Sequence, residues 1–541
     1  MKKILINAIM LAVTALVLSS CEKGFNDWDV DPSHARLFRS LNFETTRIGA
    51  TDVEIGYTQT VSADKYIFEF SKDSLEFNEI VKTEEVLADT LTPFAPSTIP
   101  ARVAYRTQFE GLDGLSGYSV RMKGVDTETG DESKYVELFF RTTAEQLFTS
   151  VDIAVNSLTL HWPANEKVTR VIIVDTLSNE PGRAITLNES HTSNGSIKID
   201  DLNPGTVYRV VIFNDDVQRG LMDIRTSGLK DGEIIPVSPG DDIPALVEPA
   251  VSAGKTNIIL MFAGGQTYNL EEVSLPTGLT NVSVTGEPDA NGEKPQLNIG
   301  SFKLGDTEFG QVIFENVNIQ ATSDASFLIT QEANGSEVES YSFINCRIEG
   351  YGNGVVRLNN AVAVGKIDFN NCFVHKNGGW GVVNVGGSTA EVDSITFQNS
   401  TLTDLSTQLM DVRVAVKKIA VENCTFYNQN ASMTQLLRFD TNGLPLTFVG
   451  SNNIIAGTNN GAPINATSHD HANFGLAVSF AGSYRTNELE IERASRDFAD
   501  ITVFNGTADD LFVDPAQGDF RIKPNNGFGG RGTAGDPRWF E

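Results

Sequence analysis

Strand-like alternation of apolar and polar positions runs through most of this chain, and from Phe314 to Phe448 the alternation itself repeats. Five times a large apolar residue is followed two positions later by Asn and then by a small side chain. The units are Phe314-Glu315-Asn316-Val317, Phe343-Ile344-Asn345-Cys346, Phe369-Asn370-Asn371-Cys372, Phe397-Gln398-Asn399-Ser400 and Val421-Glu422-Asn423-Cys424, with Asn residues 29, 26, 28 and 24 positions apart. A period in that range predicts stacked coils, each burying its apolar face against its neighbours. Segments such as Ser394-Ile395-Thr396-Phe397 and Thr425-Phe426-Tyr427 are rich in β-branched and aromatic residues, so strands fill the coils. Asn at one fixed turn suits a ladder, because it tolerates a left-handed backbone and can bond to the next Asn about 4.8 Å along the stack.

A second strand lies between successive Asn turns. Gly354–Asn359, Gly381–Gly386, Gln408–Arg413 and Gln435–Asp440 align at steps of 27. Alternation buries Val356, Val383, Met410 and Leu437, and likewise Leu358, Val385, Val412 and Phe439. It predicts two outward columns: Arg357, Asn384, Asp411, Arg438, and beside it Asn359, Gly386, Arg413, Asp440. That face is the leading candidate for function.

The Asn ladder and the small residues beside it resemble the right-handed parallel β-helix of pectate-lyase-like proteins. Ahead of it, runs such as Val136–Thr143 follow one another at short spacing with no helical period. Leu158-Thr159-Leu160-His161-Trp162 and Leu202-Asn203-Pro204-Gly205-Thr206-Val207-Tyr208 resemble the fibronectin type III sandwich, with its core Trp and its Tyr corner. Leu112-Asp113-Gly114-Leu115 and Tyr118 form a counterpart that has no obvious Trp. The expected class is all-β: two sandwiches over 35–145 and 147–227, a Pro-interrupted linker over 228–250, and a β-helix over 251–541. The sandwiches read as spacers, with sugar or protein binding as the other role for such modules. Past Phe448 the repeat blurs; 466–500 reads as a loop with a short helix from Glu488 to Phe498. The ending, Leu511–Pro515, Gly518–Pro524 and Gly535–Trp539, resembles the C-terminal coils of β-helix lipoproteins from Sus-type polysaccharide-utilisation systems.

Residues 1–20 read as a targeting segment: Lys2 and Lys3 precede the apolar run Ile4–Leu18, and Leu18-Ser19-Ser20-Cys21 resembles a bacterial lipobox. The expectation is a mature chain lipidated at Cys21, anchored to the outer membrane and followed by a tether over 21–34. The formal charge of −29 argues against nucleic acid, which needs a basic footprint. Cys346, Cys372 and Cys424 share one repeat position and read as buried small thiols rather than a disulfide or metal set.

The resemblance implies that the strand of Arg357, Asn384, Asp411 and Arg438 walls a substrate groove. Arg357, Arg413 and Arg438 suit the carboxylates of a pectic chain, since a guanidinium pairs a carboxylate bidentately. Trp380, on the loop leading onto that strand, and Tyr351 on a similar loop supply rings to stack on sugars; Lys376 stands near Trp380. A lyase of this kind uses an Arg or Lys base and an Asp cluster for Ca²⁺, yet the face offers only Asp411 and Asp440. His469 and His471 lack a third ligand, so no metal site is expected. Three readings of the face stay open: a surface ion ladder, a polysaccharide-binding face with Asn359, Asn384 and Asp440 as further contacts, and a lyase. As a whole the chain reads as a surface lipoprotein that binds a uronate glycan, with a glycan-import complex among its expected partners; an adhesin is the non-carbohydrate alternative.

Overall fold

The computed structural model describes residues 36–178, 180–440 and 447–540. The targeting segment, Cys21 and the tether lie outside the described residues. Among the described residues no helix is long and apolar enough to cross a membrane.

The first unit contains β1 (Phe43–Ile48), β2 (Asp52–Thr58), β3 (Lys65–Ser71), β4 (Lys82–Leu87), β5 (Ala104–Glu110), β6 (Gly117–Val125) and β7 (Val136–Arg141). The second contains β8 (Ser150–Ile153), β9 (Leu158–His161), β10 (Arg170–Asp175), β11 (Arg183–Thr186), β12 (Ser196–Ile199), β13 (Val207–Asn214) and β14 (Val217–Arg225). Sheets β1-β2-β5 and β4-β3-β6-β7 recur as β8-β9-β12 and β11-β10-β13-β14. Three strands against four, in the same connection order, make two fibronectin type III-like sandwiches. Both carry the Tyr corner: the Tyr118 hydroxyl accepts from the Asp113 N–H at 3.0 Å, and that of Tyr208 from the Asn203 N–H at 2.9 Å. Trp162 fills the second core; the first packs Tyr57 against Tyr66 and Phe68, with ring centroids 5.2 and 5.3 Å apart.

The remainder is a parallel β-helix. Its first face is a ten-stranded sheet running from Glu233–Val237 through Glu308–Glu315, Ser336–Ile344 and Val362–Asn370 to Ala477–Ala481. After the strands from Glu308–Glu315 to Thr447–Ser451 the chain turns at an Asn and enters a short strand of a second stack, which includes Arg347–Glu349, Phe373–His375, Thr401–Thr403 and Thr425–Tyr427. A third stack follows, with Phe327–Gln331, Gly354–Leu358, Val383–Val385, Thr407–Val412 and Met433–Phe439. Inside, Phe314, Phe343, Phe369 and Phe397 stack ring on ring at 5.2, 4.6 and 4.7 Å. The three thiols are free and buried in this interior.

The Asn ladder forms in the left-handed region, with φ of 58°, 53°, 56°, 50° and 52° at Asn316, Asn345, Asn371, Asn399 and Asn423. Side-chain amides link Asn345 to Asn316 at 2.7 Å, Asn371 to Asn345 at 3.2 Å and Asn423 to Asn399 at 3.3 Å. One step differs: Asn399 donates to Asn370, because the Asn371 oxygen accepts from Arg538 at 3.0 Å. A second Asn set fills the next turn, where Asn428 donates to Leu405 O and to Asn459, all three buried.

Residues 228–250 are not a linker. Glu233–Val237 is the first parallel strand of the helix, paired with Asn257–Ala263, and Ile243–Ser252 is an α-helix that buries Ile243 and Val247 over the open end. Pro244 falls in the first turn of that helix, where a missing N–H costs nothing, and Pro236 lies within the Glu233–Val237 strand, so neither interrupts the structure. The helix expected over Glu488–Phe498 is absent apart from a 3₁₀ turn at Ala494–Arg496. Strands Thr447–Ser451, Ala477–Ala481 and Tyr484–Thr486 carry the coils past Phe448.

The second sandwich docks on the β-helix through Val155, Leu229, Ile259 and Ile313. The ladder ends there, Asn316 donating to the Ser227 hydroxyl at 2.9 Å. Beside it Glu315 is buried, accepting from the Gly228 N–H at 2.7 Å and lying 3.6 Å from Arg225. Burial raises the Glu315 pKa above the ordinary carboxylate value. The folded state therefore binds the proton more tightly than the unfolded chain, so this group's contribution is fully present below about pH 4.3 and is lost as pH rises through the raised value. Glu315→Gln is expected to melt higher than the parent at pH 7, with the difference shrinking on acidification. Paired melting curves across pH 4–7 check this; a difference independent of pH contradicts it.

Candidate functional site

The third strand stack builds the candidate face from register. Arg357 pairs with Asn384, Asn384 with Asp411 and Asp411 with Arg438 on successive rungs. The inward positions between them, Val356, Val383, Met410 and Leu437, are fully buried. The single file is real, but it is not uniformly exposed.

Asp411 lies at 0 % exposure beneath its neighbours. Its Oδ2 accepts from Arg413 at 2.9 Å and from Asn384 at 3.3 Å, and its Oδ1 accepts from Arg438 at 2.5 Å. Asn384 is buried with it. Neither is an outward contact residue, which corrects the alternation-based expectation. Alternation sets the side from which a side chain leaves the strand, but long neighbours can then fold over a short one. Asp411 is an anchor: it fixes two guanidiniums whose side chains stay 29 % and 42 % exposed at Arg413 and Arg438. The hydrogen bond to Asp411 raises the Arg413 pKa, with Asp440 adding to the effect, so the group stays charged.

Trp380 is 43 % exposed, and the Arg413 guanidinium lies over its ring at 5.1 Å. Three rungs from Arg438, Arg357 lies over Phe327 at 5.4 Å; Phe327 is in register with Gly354, one 27-residue step before the first of the four aligned strands. Asn359 is half-buried and Asp440 exposed. Gly386 leaves a notch between them: a Cβ there would meet Asn384 Oδ1 at 3.1 Å and Asn359 Oδ1 at 3.7 Å. Beside Arg413 a depression of about 720 Å³ is lined by Gly386, Ser388, Asp393, Lys417 and Asp440.

One expected contact does not join this face. Tyr351 is 0 % exposed and its hydroxyl donates to Ile299 O at 2.8 Å, so it crosses the interior instead of stacking on a ligand. Lys376 is exposed at the start of the loop, next to His375, whose pKa its charge helps to depress.

A Ca²⁺ ion does not fit these residues. Both Asp411 oxygens are taken by Arg413, Arg438 and Asn384, leaving Asp440 as the face's other carboxylate, whereas Ca²⁺ takes six to eight oxygen ligands. Among the described residues no group of three or more His, Cys, Asp or Glu side chains is placed to hold a metal ion. The hydrogen bond to Asp411 holds the Arg413 proton more tightly than usual, which makes its guanidinium a poor base.

Residues 267–405 match the model of a family described as a domain of unknown function (DUF4957). Residues 419–539 match a second, also described as a domain of unknown function (DUF5123). Asp411 and Arg413 fall between the two matched spans. No curated protein matches the chain. The chain is similar to a two fibronectin type-III domain segment from chicken tenascin, at 16 % identity, covering 35 % of this chain and 98 % of that one, with a TM-score of 0.23. It is also similar to the FN1–FN3 domains of chicken CNTN1, at 15 % identity over 36 % of this chain and 69 % of that one, with a TM-score of 0.14. The assignment of the sandwiches rests on their strand order and Tyr corners.

Proposed function

We propose that this protein is an outer-membrane surface lipoprotein, anchored through Cys21, that holds a uronate-containing polysaccharide of pectic type for a Sus-type glycan-utilisation system. The observation that carries the reading is the buried Asp411 pinning Arg413 and Arg438, with Trp380 against Arg413. A guanidinium fixed from behind by a carboxylate keeps its outer N–H groups free for a second carboxylate, and its rotamer is already ordered. Arg357 and Arg438 are three rungs apart, roughly 14 Å at the spacing of paired strands, which suits a chain lying along the stack. Carboxylates on the first face, including Glu308, Glu337, Glu339 and Asp393, would repel a polyanion and confine it to the Arg file.

The test is migration through a native gel containing polygalacturonate, together with ultraviolet absorbance of unsaturated sugar when Ca²⁺ is added. Retardation without product supports a binding protein. Growth of product converts the reading to a lyase acting by β-elimination. Neither signal rejects the pectic ligand and favours an adhesin.

A further inference from the structure

The carboxy-terminal segment crosses the outer surface of the second strand stack and is fastened there. Asp536 accepts from the Thr401 hydroxyl at 2.7 Å, its N–H donates to the Thr425 hydroxyl at 2.9 Å, and the Trp539 indole N–H donates to Thr401 at 2.8 Å. Along the edge of this strap runs a cleft of about 450 Å³. Its floor is a file of side chains, one per rung, in direct register: His375, Thr403 and Tyr427. Its wall is Phe520 and Trp539, with Tyr427 to Phe520 at 5.4 Å and Phe520 to Trp539 at 5.5 Å between centroids.

The charged groups of the cleft are already matched. Arg538 lies 2.8 Å from Asp536, and Arg347 lies 3.1 Å from Glu349. Asp404 accepts from the N–H groups of Gln429 and Asn430 at 3.1 and 2.9 Å and from the Asn430 amide at 3.1 Å. Burial lowers the His375 pKa, so the ring is neutral at pH 7, and its Nδ1 is 2.8 Å from the Thr403 hydroxyl. Tyr427 differs from these: its ring packs against Phe520, while its hydroxyl makes no hydrogen bond among the described residues and is open to the cleft that the residue lines. A phenol hydroxyl open to a cleft can both donate to and accept from a ligand that displaces its water. Gln429 lines the same space; its Oε1 accepts from the Thr458 N–H and hydroxyl, each at 3.2 Å, so its Nε2 is the group that can donate to a ligand.

We infer that this cleft is a second carbohydrate site, taking a neutral sugar ring whose hydroxyls bond Tyr427 and Gln429 while its C–H face lies against the Trp539 wall. A volume of about 450 Å³ falls within the roughly 300–1,000 Å³ of small-molecule sites. Its mixture of rings, amides and hydroxyls fits a ligand that is apolar on one face and hydroxylated at the rim. The site shares no residue with the Arg face and does not depend on a uronate ligand.

The test is saturation-transfer NMR on the full chain with cellobiose, maltose, xylobiose and galactobiose as probes. Transfer to at least one disaccharide is expected. Tyr427→Phe, which removes one oxygen and keeps the ring, should weaken it about two- to tenfold, the loss of one hydrogen bond. Ala516→Trp, an exposed position on the rim, should fill the cleft and abolish transfer, while Arg413→Ala should leave it unchanged. No transfer from any of the four sugars, or transfer that survives Ala516→Trp, overturns the proposal.

Discussion

Arg413→Ala is expected to lower affinity for polygalacturonate by about 10–100-fold, with little change in melting temperature. The size follows from losing a charge-assisted hydrogen-bonding group, about 1.5–3 kcal/mol, at about 1.4 kcal/mol per tenfold. The stability half follows from Asp411, which keeps Arg438 at 2.5 Å and Asn384 at 3.3 Å when Arg413 is gone, so the buried carboxylate is not orphaned. Arg413→Lys should recover only part of the loss. An ammonium restores the charge but can neither fork onto a uronate nor lie as a plane over Trp380, which the guanidinium does at 5.1 Å. Titration of the three proteins with oligogalacturonate, at low and high salt, reads these differences directly. Equal affinities for parent and Arg413→Ala would remove the Arg file as the binding surface.

Phe343→Ala is expected to be the most damaging single truncation in the β-helix, at about 3–5 kcal/mol. Phe343 is fully buried between Phe314 and Phe369, with centroids 5.2 and 4.6 Å away and interplanar angles of 11° and 8°. Removing it deletes two ring contacts and leaves a void that the neighbouring backbones, tied by parallel pairing on both sides, are poorly placed to fill. Because a solenoid is stabilised rung by rung, a gap at this level separates the lower coils from the upper ones. Urea unfolding followed by far-ultraviolet circular dichroism should show an earlier β-helix transition. Phe343→Leu, which preserves more volume, should lose distinctly less. Equal losses would mean that ring stacking is not what holds these coils.

Much of this architecture could be read in the chain before its structure, and the limits have physical causes. The Phe-x-Asn unit reports both an interior ring and a left-handed turn, so its four occurrences, with Val421 in place of the ring in a fifth unit, located the core and the ladder together. The columns were legible because parallel strands in register turn a fixed step of 27 into vertical neighbours. Depth was not legible. Asp411 leaves the strand outward, as alternation requires, and is nonetheless covered, because the reach of Arg413 and Arg438 is a property of neighbours and not of period. Tyr351 follows a Gly and reads as a loop ring; its contact with Ile299 spans 52 positions, beyond any local pattern. The cleft escaped notice for the same reason, since the bonds that form its wall join Thr401 to Asp536 and Trp539 across 135 and 138 positions.

Those last bonds also set a timetable. The hydroxyls of Thr401 and Thr425 stand ready once their rungs exist, but their partners at Asp536 and Trp539 lie 111 to 138 positions further along the chain and are synthesised later. Until then the flank of the stack is bare and can adhere to whatever it meets. A nascent or clipped chain ending near residue 530 would hold every coil and still lack the strap that shields them.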